Sequence, residues 1–187
     1  MSIRITKTTL DGVLVIEPDL YNDDRGYFFE LWNARKFDGH GIEVNYVQDN
    51  VSFSKKNVLR GLHYQFPKPQ AKLVSVLSGE IFDVAVDIRK GSPTFGKWFS
   101  VILSDKNKKQ LFIPAGFAHG FCVTSDNATV MYKCDEYYAS DCEHTIVWSD
   151  KSLAIDWPSK APILSSKDKN GTTINDMKSE HFPEYSV

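Results

Sequence analysis

Seven side chains that can carry charge or exchange protons occur in segments otherwise typical of β-strands. They are His63, Lys72, Asp83, Asp87, His119, Tyr132 and Tyr138. A buried charge is costly unless it is paired, and the inward-facing side chains of a small β-barrel converge on one cavity. The pattern therefore favours a polar cavity over a dry core. For the two aspartates an alternative stays open, since both lie on one face of their strand and could form ion pairs with Arg89 or Lys72.

A metal site is one kind of functional site that these residues suggest. The segment Pro114-Ala115-Gly116-Phe117-Ala118-His119 is similar to the second half of the cupin metal signature, in which a proline-glycine turn delivers a histidine into the barrel. The first half is missing, because His63 is followed by Tyr64-Gln65 where a second histidine is needed. Ala71-Lys72 occupies the position of the glutamate ligand. Two histidines and a lysine do not make a three- or four-ligand site, so we predict no metal.

The elements that must position these residues are short and mostly extended. Segments rich in Val, Ile, Phe and Tyr are interrupted by Gly, Pro, Asn or Asp about every ten residues, which is typical of a sandwich or barrel. One short helix is predicted over residues 33–40, and from residue 149 the chain becomes less regular. Strands are predicted over residues 12–17, 26–32, 46–54, 59–64, 71–77, 80–89, 97–103, 111–113, 119–124 and 129–137.

These elements predict an all-β fold, a cupin-like jelly roll of two antiparallel sheets around a central cavity, with a short and less regular C-terminal arm. With 187 residues, 42% of them hydrophobic, the chain is expected to form a single domain over residues 1–187. A net charge of -2 excludes the global basic field of a nucleic-acid binder. No secretory leader and no long apolar run are present, so we expect a cytoplasmic protein without membrane association.

Seven motifs along the chain occupy residues 24–30, 48–50, 59–65, 70–74, 112–121, 132–133 and 164–168. In order and spacing, these motifs resemble the dTDP-4-dehydrorhamnose 3,5-epimerase family, and the match runs from about Gly12 to Asp168. This resemblance implies a homodimer without a cofactor, in which N-terminal strands cross into the partner subunit.

The resemblance also implies a reaction, the epimerisation of a dTDP-4-keto-6-deoxyhexose at C3 and C5 in dTDP-L-rhamnose biosynthesis. The C4 ketone acidifies the hydrogens on both carbons, so a base and an acid on opposite faces suffice. His63 is expected to be the base, paired with Asp168, and Tyr132 the acid. Lys72 is the candidate for holding the charge that develops on O4.

Substrate binding is expected to involve a further set of family positions. Arg25 and Arg60 suit the diphosphate because a guanidinium binds phosphate in a bidentate manner. Tyr138 or Phe28 can stack on thymine. The remaining expected contacts are Glu30, Gln48, Asp49, Asn50, His119, Glu143 and Lys167.

Two alternatives remain open. A relative that inverts only C3, or that uses another nucleotide-activated 4-keto sugar, would share His63 and Asp168, although the presence of Tyr132 favours double inversion. A sugar-binding jelly roll without catalysis would not require the histidine and aspartate pair, so their presence argues against that class.

Overall fold

The computed structural model describes residues 2–40 and 42–185. Two short α-helices, α1 (Ala34–Phe37) and α2 (Ser166–Lys169), lie outside the sheets. Within these ranges the strands are β1 (Ile3–Lys7), β2 (Leu14–Pro18), β3 (Tyr21–Asp23), β4 (Gly26–Phe28), β5 (Gln48–Lys55), β6 (Leu59–Gln65), β7 (Lys72–Ser78), β8 (Glu80–Asp87), β9 (Trp98–Ser104), β10 (Gln110–Ile113), β11 (Phe117–Val123), β12 (Asn127–Cys134) and β13 (Glu143–Thr145). Single 3-10 turns occupy Asp38–His40, Ser140–Cys142 and Ser179–His181.

Two antiparallel sheets face each other, as the sequence predicts. One has the order β1-β2-β10-β7-β12-β5, and the other has the order β13-β6-β11-β8-β9. The strands β3 and β4 form a separate hairpin. The all-β prediction is confirmed, and most predicted strands lie within a few residues of the observed ones.

Three predictions of local structure need correction. The strand predicted over residues 26–32 ends at Phe28, because the following segment turns to place Trp32 against Phe37 and Tyr46, at ring distances of 4.4 and 4.7 Å. The helix predicted over residues 33–40 is a single α-helical turn followed by a 3-10 turn. The sequence also did not predict β1, β3 and β13, which are short or exposed.

Apolar side chains form three layers. The central layer lies between the two sheets and includes Val74, Leu111 and Phe121. A second layer covers the outer face of the six-stranded sheet at β1, β2, β7 and β10 and includes residues between 32 and 40 and between 42 and 46. A third layer covers the five-stranded sheet with the C-terminal arm. Outward residues of the covered strands therefore point into apolar core, and a polar cavity can form only at inward positions that the central layer leaves free.

Strand β6 contains a β-bulge at Gly61. His63 pairs with His119 and Arg60 pairs with Phe121, so three steps along β6 match two steps along β11. The extra residue brings Arg60 and His63 onto the same face, although their odd spacing would otherwise place them on opposite faces. Gly61 has φ +114°, and a Cβ atom there would lie 2.6 Å from the Cα atom of Gly120.

The C-terminal arm folds back along the five-stranded sheet and is held at several places. Ile163 pairs with Val58 and Thr172 pairs with Ile146 as parallel bridges. Further along, the Lys90 N–H donates to the Pro183 carbonyl at 2.7 Å. These bonds fix the arm on both sides of α2, which carries Asp168.

We predict that Gly61→Ala lowers the free energy of unfolding far more than Gly91→Ala. Both glycines have positive φ, but a Cβ at Gly91 would meet nothing within 4 Å, so that variant isolates the backbone strain. We expect a loss of about 1 kcal/mol for Gly91→Ala and about 3 kcal/mol or more for Gly61→Ala, measured by urea unfolding. Equal losses would show that the contact between Gly61 and Gly120 imposes no constraint.

Candidate active site

A cavity of about 340 Å³ opens between the two sheets. Its walls come from both sheets, and polar groups predominate in them, as the sequence predicts. Ten of the expected site residues line it, namely Gln48, Asn50, Arg60, His63, Lys72, His119, Tyr132, Tyr138, Glu143 and Lys167.

His63 on β6 pairs with Asp168 on α2. The distance from His63 Nε2 to Asp168 Oδ1 is 2.6 Å, and the carboxylate is only 2% exposed. An ionised carboxylate can only accept, so Nε2 carries the hydrogen and Nδ1 keeps its lone pair. His63 therefore has Nδ1 available as a base.

Asp168 has further partners that hold it in place. Its Oδ1 accepts from the Gly61 N–H at 3.3 Å, and its Oδ2 accepts from the Ser165 hydroxyl at 2.6 Å. Ser165 also caps α2 by accepting from the Asp168 N–H at 3.1 Å. Burial acts to raise the pKa of Asp168, but these hydrogen bonds and the contact with His63 outweigh it and lower the pKa. The carboxylate is thus charged at neutral pH.

Burial lowers the pKa of His63 below its usual 6.5, although Asp168 acts in the opposite direction. Lys167 and Lys72 lower it further by repulsion. The imidazole is therefore neutral at pH 7 and ready to accept a proton.

His119 forms a second histidine and aspartate pair in the same wall. His119 Nε2 lies 2.9 and 3.1 Å from the two oxygens of Asp83, which is fully buried. The sequence left open whether Asp83 pairs with Arg89 or Lys72, and its observed partner is His119. Asp87 instead binds Arg89, Ser92 and Thr94, away from the cavity.

Lys72 and Tyr132 enter from the six-stranded sheet, opposite His63. Lys72 is 7% exposed, and burial lowers the pKa of its ammonium group. Burial raises the pKa of Tyr132, so its phenol stays protonated at neutral pH. The cavity thus holds a neutral imidazole on one side and a phenolic donor on the other.

The mouth of the cavity is crossed by a chain of polar contacts. The Tyr138 hydroxyl donates to Glu143 Oε2 at 3.1 Å, and Lys167 Nζ donates to Glu143 Oε1 at 2.7 Å. Burial of Glu143 acts to raise its pKa, but the hydrogen bond and charge of Lys167, together with His63 and Tyr138, outweigh this and lower it.

A family model described as dTDP-4-dehydrorhamnose 3,5-epimerase matches residues 7–176. This chain belongs to that epimerase family. The dTDP-4-dehydrorhamnose 3,5-epimerase of Methanothermobacter thermautotrophicus is 53% identical over 170 residues, which are 89% of this chain and 92% of the relative.

Solved structures of epimerases share the fold. The dTDP-6-deoxy-D-glucose-3,5-epimerase of Legionella pneumophila Philadelphia 1, in complex with dTDP-4-keto-L-rhamnose, is 50% identical and has a TM-score of 0.96. The match covers 99% of this chain and 100% of that one. A 3'-monoepimerase from Streptomyces bikiniensis, in complex with dTDP-quinovose, is 34% identical with a TM-score of 0.85, covering 90% of this chain and 87% of that one. The predicted cupin-like jelly roll is confirmed by these structures of the epimerase family.

Four expected epimerase site residues do not reach the cavity of their own chain. Asp49 points to the outer face of β5 and binds Lys133 at 2.7 Å, because its neighbours Gln48 and Asn50 take the inward positions. Arg25 and Phe28 lie on the exposed hairpin of β3 and β4. Glu30 binds Asn33 and Lys36.

Other lining residues were not predicted. Ser52 continues the inward alternation of Gln48 and Asn50, and its buried hydroxyl has no partner among the described residues. Period-two spacing along β5 was the available signal. The remaining unpredicted lining residues are Tyr64, Gln65, Gln70 and Phe121.

Two properties of the described residues bear on other classes of function. Among residues 2–40 and 42–185, no three side chains of His, Cys, Asp or Glu are grouped so as to hold a metal ion. In the same residues, no helix is long and apolar enough to span a membrane. Independence from metals stays a prediction.

We predict that His63 carries its hydrogen on Nε2 and has a pKa below 6.5, and that Asp168→Asn lowers this pKa further. The substitution removes the carboxylate that opposes the effect of burial. Nitrogen-15 NMR of the histidine rings over a pH titration measures both properties. The resonances of His40, which is exposed and outside the site, should not differ between the two proteins. A higher pKa in the variant would contradict the assigned pairing.

Proposed function

We propose that this chain inverts C3 and C5 of dTDP-4-dehydro-6-deoxyglucose to give dTDP-4-dehydro-L-rhamnose, with His63 as the base and Tyr132 as the acid. The observation that carries the proposal is the approach of these two side chains from opposite sheets into one cavity. Inversion requires that a proton leave one face of a carbon and return to the other, and this arrangement provides a group on each side.

Each inversion begins with removal of a proton by His63 Nδ1. The electron pair of the broken C–H bond moves onto the C4 carbonyl oxygen, which gives an enolate. Asp168 stabilises the imidazolium that forms, because it is already bonded to Nε2 at 2.6 Å. Tyr132 then donates its phenolic proton to the opposite face of the same carbon, and solvent restores both groups.

Lys72 is assigned to the enolate oxygen. Its ammonium is buried in the cavity wall, and a cation with little access to water stabilises a developing negative charge more than an exposed one. The scheme assigns no step to a metal or redox cofactor, because the C4 ketone itself acidifies both hydrogens.

Arg60, Tyr138 and Lys167 are assigned to the nucleotide. All three line the cavity, where Arg60 and Lys167 supply positive charge for the diphosphate and the exposed ring of Tyr138 can stack on thymine. Gln48 and Asn50 also line the cavity and can bond to the sugar or base. The substrate class is supported by the Legionella relative, whose structure holds dTDP-4-keto-L-rhamnose.

Double inversion is supported over inversion at C3 alone. The relatives at 46 to 53% identity are named 3,5-epimerases, whereas the 3'-monoepimerase is 34% identical.

We predict that incubation with dTDP-4-dehydro-6-deoxyglucose in D₂O places deuterium at both C3 and C5 of the product. His63→Ala should slow this exchange by about 10³-fold while dTDP affinity changes little, because only proton abstraction is lost. Tyr132→Phe should leave exchange at one carbon but lower product formation by about 10²-fold or more. NMR counts the deuterated carbons, and calorimetry gives the affinity.

Tyr185→Phe is the matched control, since it removes the same hydroxyl from a ring that packs on Arg89 outside the cavity. Its exchange rate should equal that of the wild type. Exchange at the wild-type rate in His63→Ala would eliminate His63 as the base. Deuterium at C3 alone in the wild type would establish a C3 epimerase.

We further propose that the chain forms a homodimer in which the β3 and β4 hairpin completes the partner's nucleotide site. The hairpin exposes Tyr27 and Phe28 to 55% and 61%, and the Arg25 side chain is 89% exposed. Exposed aromatic rings on a small two-stranded hairpin are costly in a monomer and are typical of an interface. The exposed outer face of the edge strand β5, with Val51 and Phe53, is a second such surface.

We predict that Arg25→Ala and His63→Ala complement each other. In a mixed dimer, the His63→Ala subunit lends an intact Arg25 to the partner site, which has an intact His63. Co-expression in equal amounts with random pairing should therefore restore about a quarter of wild-type activity. Activity that remains at the level of the separate variants would show that each site is built within one chain.

A further inference from the structure

The loop of residues 135–139 leaves β12 and passes over the mouth of the cavity, carrying Tyr138. Three glutamine side chains bind the backbone of this loop. Gln48 accepts from the Tyr138 N–H at 2.9 Å, Gln70 donates to the Glu136 carbonyl at 2.8 Å, and Gln65 binds on both sides of Tyr138. The loop is thus held largely through its backbone, and at its start the Asp135 carboxylate also accepts from the Ala71 N–H at 2.6 Å.

Gln65 makes the most bonds of the three. Its Oε1 accepts from the Ala139 N–H at 2.8 Å, and its Nε2 donates to the Tyr137 carbonyl at 3.3 Å and the Lys68 carbonyl at 3.0 Å. Both amide hydrogens are therefore used, and the side chain is only 4% exposed. Since its hydrogens all serve the backbone, Gln65 has none left to donate to a ligand.

Gln65 also lies two residues after His63 on the same face of β6. One strand thus carries both the proposed base and the side chain that fixes the loop. The Tyr138 ring is 54% exposed, and its side-chain hydrogen bond is the one to Glu143. With so little packing of its own, the ring depends for its position on the backbone that Gln65 holds.

We propose that Gln65 is a positioning residue for nucleotide recognition, which sets Tyr138 at the cavity mouth without touching the substrate. This inference rests on the proposed function, in which Tyr138 stacks on the thymine of the bound nucleotide. Loss of the Gln65 amide releases the Tyr137 carbonyl and the Ala139 N–H on either side of Tyr138, so binding weakens while proton transfer at His63 continues.

The test compares Gln65→Met with Gln110→Met. Gln110 is a matched control, because it is a buried strand glutamine that also donates twice, to the Leu31 carbonyl at 3.0 Å and the Ser75 hydroxyl at 2.8 Å, outside the cavity. Both variants should lose stability. Only Gln65→Met should raise the Kd for dTDP and the KM, each by about tenfold, with kcat within about twofold of wild type.

A double-mutant cycle with Tyr138→Ala tests whether Gln65 acts through the ring. If it does, Gln65→Met should weaken dTDP binding by less than about twofold in the Tyr138→Ala background. A full tenfold effect there, or a fall in kcat rather than a rise in KM, would overturn the proposal. Equal dTDP binding by wild type and Gln65→Met would also overturn it and leave the proposed function intact, whereas a wild type that does not bind dTDP would overturn both.

A second variant covers the case in which Gln65→Met does not fold. Gln65→Glu keeps the acceptor for the Ala139 N–H but loses both donors, so the Tyr137 carbonyl is released. The same rise in Kd and KM is expected from it, and unchanged values in a folded Gln65→Glu protein would contradict the proposal.

Discussion

The site depends on one extra residue in β6. The bulge at Gly61 reverses the alternation of the strand, so that Arg60 and His63 share the cavity face, and it also turns the Gly61 N–H towards Asp168 at 3.3 Å. At the bulge β6 and β11 approach closely at Gly61 and Gly120, where a Cβ on either residue would meet backbone atoms at less than 3 Å. A backbone constraint between two glycines therefore determines both where the proposed base points and what it binds.

The second requirement is burial of the Asp168 carboxylate. Taking a carboxylate out of water is costly unless hydrogen bonds replace the water, and His63, Gly61 and Ser165 supply them. Asp168 reaches this position only because the arm is bonded to the sheet at Ile163 and at Thr172. Docking of the arm and assembly of the histidine and aspartate pair are therefore one event, and an arm that came away would leave His63 without the partner that orients it.

The sequence predicted the two-sheet fold and most of the cavity, because period-two alternation and the order of the motifs are both visible in one chain. The same alternation shows why Asp49 turns outward between Gln48 and Asn50, although the motif alone included it. The bulge and the pairing of Asp83 with His119 could not be predicted, since both depend on contacts between distant strands. For Gln65 the sequence shows only that a residue unable to act as a second histidine ligand follows the motif, because nothing in the sequence shows which loop an amide will bind.

The positive charges of the cavity favour an anionic substrate, and they also change the pKa of the base. Arg60, Lys72 and Lys167 line the cavity, and the two lysines lower the pKa of His63 in the free protein. In the proposed complex, the diphosphate brings negative charge to the same cavity and offsets this repulsion. The pKa of His63 then rises towards neutral pH. A base is most effective at neutral pH when its pKa lies close to that pH. Substrate binding and activation of the base are therefore linked by the same positive charges that attract the nucleotide.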